Sequence, residues 1–409
     1  MNYKNNKWKT GNILRILFVI FFFSSDILLA KYTKNIFDET KLKWKNEPIN
    51  LSSIKKEILD YRNIQNIQNF NNSSLNLKYF EQAINPKISL IIPIYHISAN
   101  IINFYLSIYN QSLSDIELIF INYISEDNTS QIIETLMKKD KRIIFINNTN
   151  QIRDFFPKRK GILIAKGEYI LIIESDDLLL NNILEKSYLT AKNNNIDILQ
   201  YYMIVGTYKN NRLWKNIKCN DGIIKYPKVE KFFYRCRYFN LFDKLIKREI
   251  FLKAIQDIND GYDIDEFNEI VDDDFAFFAL SKKAKSYGFL EDIGYFYNLK
   301  SSGATGHDNY LKNNTKNNWN NIFYKLFRAV KYFYEKTKNN RIEKGWVYMF
   351  FLKKIYNYRS KVIYLDNYFD FFNDTLNQFL SCSFFKKDEK NKILKFKNMI
   401  IEIKEKLDF

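Results

Sequence analysis

Residues 165–180, AKGEYILIIESDDLLL, decide how the chain is read. The apolar run Tyr169 to Ile173 has the length and composition of a buried strand, and it stops abruptly at Glu174, Ser175, Asp176 and Asp177. Three carboxylates at one strand tip repel one another and resist ionising unless a cation neutralises them. A hard divalent metal that also holds substrate phosphates is one resident that suits such a site. The other reading is that the acids cap the following helical stretch, Leu178 to Asn193, where the helix dipole favours negative charge. The stretch alone leaves both open.

Upstream, the same grammar repeats. ISLIIPIY from Ile88, ELIFIN (Glu117 to Asn122) and RIIFIN (Arg142 to Asn147) are three more short apolar strands. Helical patterns at Ile101 to Asn110, Ser130 to Lys139 and Pro157 to Ala165 lie between them. Strands and helices alternating at this spacing predict an α/β fold with a mainly parallel central sheet, whose ligands gather at the carboxyl ends of the strands. Pro93 to His96, Asn122 to Asp127 and Glu174 to Asp177 then share one edge. That shared edge favours the metal reading.

Composition bounds the rest. The 409 residues allow one large domain or two ordinary ones, and 46% hydrophobic residues suffice for a core. The formal charge of +17 comes from 63 Lys and Arg against 46 Asp and Glu, but the Lys residues are scattered rather than striped. Nucleic acid is therefore not an expected partner. Cys219, Cys236 and Cys382 lack metal-ligand spacing, and their odd number leaves a thiol unpaired.

Residues 1–31 place Lys4, Lys7, Lys9 and Arg15 ahead of the apolar block Ile16 to Phe23, which resumes at Ile27 to Ala30. That is the layout of a signal peptide or a signal anchor, and it predicts a secretory-pathway protein in the lumen or membrane of the endoplasmic reticulum or Golgi. Asn-x-Ser/Thr sites at Asn50, Asn72 and Asn373 agree with that compartment, although an Asn-rich chain generates them by chance. Residues 32–86 read as a polar stem or spacer, helical around Ile54 to Ile67. Beyond residue 310, apolar residues from Trp319 to Tyr334 and Val347 to Tyr358 recur at helical spacing, so residues 311–409 are expected to form a helical C-terminal region. Core packing is the simplest account of those aromatics; Lys331, Lys353, Lys354 and Arg359 beside them leave a membrane or glycolipid contact open.

The succession SLIIPIY, NQSLSDIELIFIN, KGILIAKGEYILIIESDD, FDKLIKREIF and DDDFAFFALSKKAK resembles the family-2 glycosyltransferases of the GT-A fold, in the family's order and spacing. The resemblance spans roughly residues 87–300, and the domain it implies is placed at residues 87–310. It implies a nucleotide-diphosphate sugar donor, a Mn or Mg ion on its phosphates, and a hydroxyl acceptor on a glycan, glycoprotein or glycolipid. Glu174 to Asp176 fall on the family's Asp-x-Asp motif, with Asp176 as direct metal ligand and Glu174 facing the ribose or a metal-bound water. Pro93 and Tyr95 fall on the nucleotide-binding first loop, and Lys158 where the family often has an Arg near the diphosphate. Asp273 and Asp274 fall on its general-base pair. Asp274 aligns best with the base, which by in-line displacement would give inversion. His307, in SSGATGHDN, stands where some GT-A enzymes bring a His to the metal.

The chain departs from the pattern after the second strand, where two Asp become Asn122 and Tyr123. Asn122 keeps hydrogen-bonding capacity toward a base edge but no charge. A non-catalytic sugar- or nucleotide-binding relative is the alternative this change keeps in play.

Overall fold

The computed structural model of the chain describes residues 51–63, 77–123, 125–148, 157–180, 182–206, 211–214, 223–225, 240–259 and 272–298, with scattered helical positions between 377 and 401. The N-terminal basic and apolar segment, His307, the three Cys and nearly all of residues 311–409 lie outside the described residues. Among those described, no helix is long and apolar enough to cross a membrane. Two compact units divide the chain, Glu47–Phe369 and a second made of Met1–Asn46 with Asp370–Phe409. The fold below belongs to the first.

Four strands expected from their apolar runs form the centre: β1 (Ile88–Ile94), β2 (Ile116–Tyr123), β3 (Ile143–Asn148) and β4 (Tyr169–Ile172). They pair in parallel in the order β3-β2-β1-β4. Parallel pairing requires crossovers, and α2 (Ile101–Tyr109), α3 (Thr129–Met137) and α4 (Pro157–Ile164) supply them. Both faces of the central strands are thereby covered, which is why Ile88 to Ile92 and Leu118 to Ile121 are almost wholly buried.

Entry into β4 depends on close backbone approach at Gly167. A Cβ there would lie 2.5 Å from the Ser89 backbone nitrogen. The Gly167 N–H instead donates to Ser89 Oγ at 2.8 Å, and the buried Glu117 carboxylate accepts from Ser89 Oγ and from the Lys166 N–H. A charged residue inside β2 thus fixes where β4 begins.

Past β4 the sheet becomes mixed. β5 (Leu178–Leu179) is followed by α5 (Ile183–Asn193), β6 (Ile198–Gly206), β7 (Asn211–Trp214), β8 (Ile223–Lys225), β9 (Lys244–Lys247), α6 (Arg248–Asn259), α7 (Asp272–Lys283) and β10 (Ser286–Asn298). The sheet order is β3-β2-β1-β4-β9-β6-β10-β5, with β7 on β6 and β8 on β10. β9 runs antiparallel to both neighbours, β4 and β6, while β10 runs parallel to β6. The expectation of parallel strands holds for β1 to β4, β6 and β10; β9 is a reversed insertion between β4 and β6, and β5, β7 and β8 also pair antiparallel. Its amino end, preceded by Leu241 to Asp243, therefore lies beside the carboxyl end of β4 and beside Gln200 in the first part of β6.

The helix expected from Leu178 starts later. Leu178 and Leu179 pair with Phe296 and Tyr295 as strand, and the helix begins at Ile183 behind Asn182, whose φ of 52° is left-handed. Asp177 consequently does not cap it.

Part of the stretch expected as a spacer packs against the domain. Ile54, Ile58 and Tyr61 of α1 (Leu51–Asn63) join the buried cluster that also holds Ile101, Phe104 and Leu118. Phe80 forms a backbone bridge with Asp140 at the β3 edge, and its ring lies 3.5 Å under the Arg142 guanidinium. Arg142 and Asp140, both fully buried, close this corner with a two-pronged ion pair at 2.9 and 2.7 Å. The packed unit accordingly extends N-terminally of residue 87.

Candidate active site

The carboxyl edge of the sheet carries most of the residues singled out by sequence. The strongest link is Lys158, near the start of α4 and 8% exposed. Its ammonium lies 3.0 Å from Glu174 Oε1 and 3.1 Å from Asp273 Oδ1. The helix can sit low enough for this because residue 161 is glycine: a Cβ there would come within 2.7 Å of Ile121 Cδ1 and 2.8 Å of Ile91 Cγ2. Asp273 is held a second time, by the Leu241 N–H at 3.3 Å. The β4 tip, the α7 start and the turn before β9 are thus joined through two side chains.

Each acid at the tip has its own surroundings. Asp177 is fully buried and accepts hydrogen bonds from the Tyr295 hydroxyl at 2.7 Å and the Asn298 N–H at 2.8 Å. Burial first, then the neighbouring Asp176 carboxylate, push its carboxyl well above the usual range, against the pull of those donors. Asp177 therefore locks the β4 tip to β10. Asp176 is half-buried, and its backbone carbonyl accepts from the Asn298 side-chain amide. Glu174 is also half-buried, and its N–H donates to Tyr295 Oη at 3.3 Å.

Tyr295 and Asn298 were not singled out from sequence, nor was Phe242. The Phe242 ring stacks on Tyr295 at 4.9 Å and 24°, and on Tyr297 at 5.5 Å and 21°. The Tyr297 hydroxyl is pushed up to about 12, by burial and then by the carboxylates of Asp177, Asp176, Glu174 and Asp273. Alternation along β10 hints that residues 295 and 297 share a face, but only the strand order shows that this face meets the β4 tip. Beneath Phe242 a wholly buried pair, Lys244 and Asp243 at 2.6 Å, is completed by Gln200 Nε2 at 2.7 Å and by the Asn240 carbonyl. Removing one partner of such a pair strands the other, so this network fixes the turn 240–243.

The first and second loops form the other wall. Tyr95 is 42% exposed, with its ring edge-on to His96 at 4.0 Å. His96 takes a left-handed φ of 48°, donates its N–H to Ser125 Oγ, and accepts the Glu126 N–H at Nε2. Asn122 is buried. Its amide donates to Ser130 Oγ at 3.0 Å and Asn147 Oδ1 at 2.9 Å, and its oxygen accepts from Ser125 Oγ at 2.6 Å. Asp127 ties the loops together through Thr129 and the Ser98 N–H. Burial opposes ionisation of Asp127, but the donors Thr129 and Ser98 outweigh it and hold its carboxyl below the usual value.

Glu174 and Asp176 offer the hard oxygen donors that Mg or Mn takes in small number when substrate phosphates complete the shell. The pair fits such an ion, with Lys158 as a fixed positive charge beside it. Among the described residues no three His, Cys, Asp or Glu side chains converge as a self-sufficient metal cage. His307 is not among the described residues, and neither is the side chain of Asp274.

A mixed sheet whose parallel half carries an acidic strand tip, a basic helix start and a second acidic helix start on one edge has the arrangement of a GT-A-like fold. Comparison with known proteins points the same way: residues 89–253 match Glycosyl transferase family 2. The chain is 31% identical over 123 residues to the glycosyltransferase GlyG of Streptococcus pneumoniae, covering 30% of this chain and 39% of GlyG. It is 24% identical over 252 residues to the poly(ribitol-phosphate) beta-N-acetylglucosaminyltransferase TarP of Staphylococcus aureus, covering 60% of this chain and 72% of TarP. Among solved structures, residues 1–349 of S. aureus TarS superpose with a TM-score of 0.53 at 16% identity, over 72% of this chain and 80% of that one, which is a likeness of fold.

Proposed function

We propose that this protein transfers a sugar from a nucleotide-diphosphate donor to a hydroxyl acceptor, with inversion at the anomeric carbon. The observation that carries the reading is the ion-paired bridge of Lys158 to Glu174 and Asp273, which brings the phosphate-side and base-side residues within one side chain of each other. Tyr95, exposed just beyond β1, would lie against the nucleotide base. Pro93 lies within β1 two residues before it, paired with Ile121 of β2. Asn122, with its amide committed to Ser125, Ser130 and Asn147, positions that wall instead of reading the base itself.

Asp176 and Glu174 would hold a Mn or Mg ion, with His307 as a further ligand. When bound, such an ion neutralises the charge that grows on the departing diphosphate. Lys158 adds a fixed cation on the same side, without proton transfer. Asp274 takes the proton from the acceptor hydroxyl as its oxygen attacks the anomeric carbon. The bond from that carbon to the diphosphate oxygen breaks on the opposite face, and the nucleoside diphosphate leaves. Asp273, held by Lys158 and the Leu241 N–H, fixes the start of α7, the helix that also carries Asp274.

The name of TarP supports N-acetylglucosamine as a donor sugar to test first, and a polyol-phosphate polymer beside glycans, glycoproteins and glycolipids as acceptor. Membrane attachment and a secretory-pathway location rest on the N-terminal basic and apolar segment alone. The test is thermal stability with Mn and uridine or guanosine diphosphate, followed by donor hydrolysis. Stabilisation by nucleotide beyond that by metal alone, lost in Asp176→Asn, supports the reading. Binding without turnover of any nucleotide sugar would assign the domain to non-catalytic binding instead.

A further inference from the structure

Phe242 and Tyr297 are half-buried aromatics that the reaction scheme above does not use. They lie nearly parallel, at 5.5 Å and 21°, and Phe242 is backed by the wholly buried Tyr295. Both ends of this stack are fixed. The Phe242 carbonyl accepts from the Tyr201 hydroxyl, its neighbour Leu241 holds Asp273, and Asp243 is locked to Lys244. Tyr295 is pinned through its hydroxyl to Asp177. An ordinary core aromatic is surrounded by apolar side chains, whereas the Tyr297 hydroxyl lies in the field of Asp177, Asp176, Glu174 and Asp273.

Aromatic faces beside carboxylates suit one ligand chemistry above others. A pyranose ring has an apolar C–H face, which is attracted to the negative face of an aromatic ring, and a rim of hydroxyls that donate to carboxylates. The location identifies which sugar. The transferred ring is bonded to the diphosphate, on the Glu174 and Asp176 side, and is attacked from the side of the α7 acids. Phe242 follows Leu241, whose N–H holds Asp273, and stacks on Tyr295, whose hydroxyl accepts from the Glu174 N–H, while Tyr297 is its other neighbour in the stack.

We infer that Phe242 and Tyr297 form a stacking platform for the pyranose ring of the donor, setting affinity for the sugar part of the nucleotide sugar as distinct from its nucleotide. The inference rests on the transferase reading and adds to it a sugar-recognition element. Unlike the phosphate and base residues, this element acts on the ring alone.

The test compares affinities of the full-length protein for a nucleotide sugar and for its parent diphosphate, by titration calorimetry in Mn. The probe pairs are UDP-N-acetylglucosamine with UDP, and GDP-mannose with GDP. Phe242→Ala and Phe242→Leu are each expected to weaken the sugar nucleotide relative to the diphosphate by roughly 2- to 12-fold, the range of a single aromatic contact, with diphosphate affinity unchanged. Tyr297→Leu is expected to do the same. Phe242→Leu keeps the apolar volume and decides the matter if the Ala variant does not fold. Wild-type affinity ratios in folded Phe242→Leu and Tyr297→Leu overturn the platform while leaving the transferase reading intact. If neither diphosphate binds the wild type, the transferase reading fails and the platform fails with it.

Discussion

Lys158 and Asp273, 115 residues apart in sequence, meet at 3.1 Å, and the same ammonium reaches Glu174 at 3.0 Å. One cation therefore neutralises an acid from the β4 tip and an acid from the start of α7. Without it, two carboxylates on converging elements would face each other across a half-buried site.

Lys158→Met is expected to lower stability by about 1–3 kcal/mol, less than the cost of breaking a fully buried pair because Glu174 and Asp273 are partly exposed. Urea denaturation measures it. Donor hydrolysis should fall by more than the loss of folded protein explains, and a Lys158→Arg variant should recover part of it. Unchanged hydrolysis in folded Lys158→Met would remove the residue from the site.

Asp274→Asn and Asp273→Asn are expected to differ. Loss of a general base costs about 10²- to 10⁴-fold in rate, and in Asp274→Asn it should leave diphosphate binding and stability near wild type. Asp273→Asn removes a charge from Lys158 and weakens the hold on the Leu241 N–H, so it should also lower stability by about 1–3 kcal/mol. Equal stability in the two variants, with the rate loss confined to Asp273→Asn, would exchange their roles.

The loop wall should respond to pH through Asp127. Its folded carboxyl lies below the usual range because Thr129 and Ser98 donate to it. A depressed carboxyl contributes stability that is present above the unfolded value of about 3.9 and is lost as pH falls through the folded one. Asp127→Ala is expected to cost about 0.5–2 kcal/mol at neutral pH, a range like that of a lost cap, and progressively less below about pH 4. A difference that stays constant across denaturation curves from neutral to acid pH would contradict this.

Gly161→Ala tests how α4 sets the site. The added methyl meets Ile121 and Ile91 on the sheet, and overpacking of this kind typically costs about 1–3 kcal/mol. Because Lys158 rides on the same helix, loss of hydrolysis should accompany the loss of stability. Hydrolysis at the wild-type level in a destabilised Gly161→Ala would mean that the sheet side chains yield and the helix does not move.

The sequence by itself determined the strand and helix alternation from β1 to β4. Runs such as LIIPI, ELIFIN and YILII are buried on both faces, so their hydrophobicity is continuous and local. The acids at Glu174, Asp176, Asp177, Asp273 and Asp274 were legible for the same reason: each cluster interrupts a strong apolar or helical pattern. Tertiary structure alone decided which acid is buried and bonded and which stays half-buried at the edge. Asp177, next to Asp176 in sequence, is a buried lock because β10 brings Tyr295 and Asn298 to it. Asn122 is turned into the loop wall by Ser125, Ser130 and Asn147. The reversed β9 and the Phe242 stack depend on pairing across strands distant in the chain. Local patterning records burial, which each residue carries in its own side chain. Contact between remote edges is a property of the closed sheet and leaves no periodic mark in the sequence.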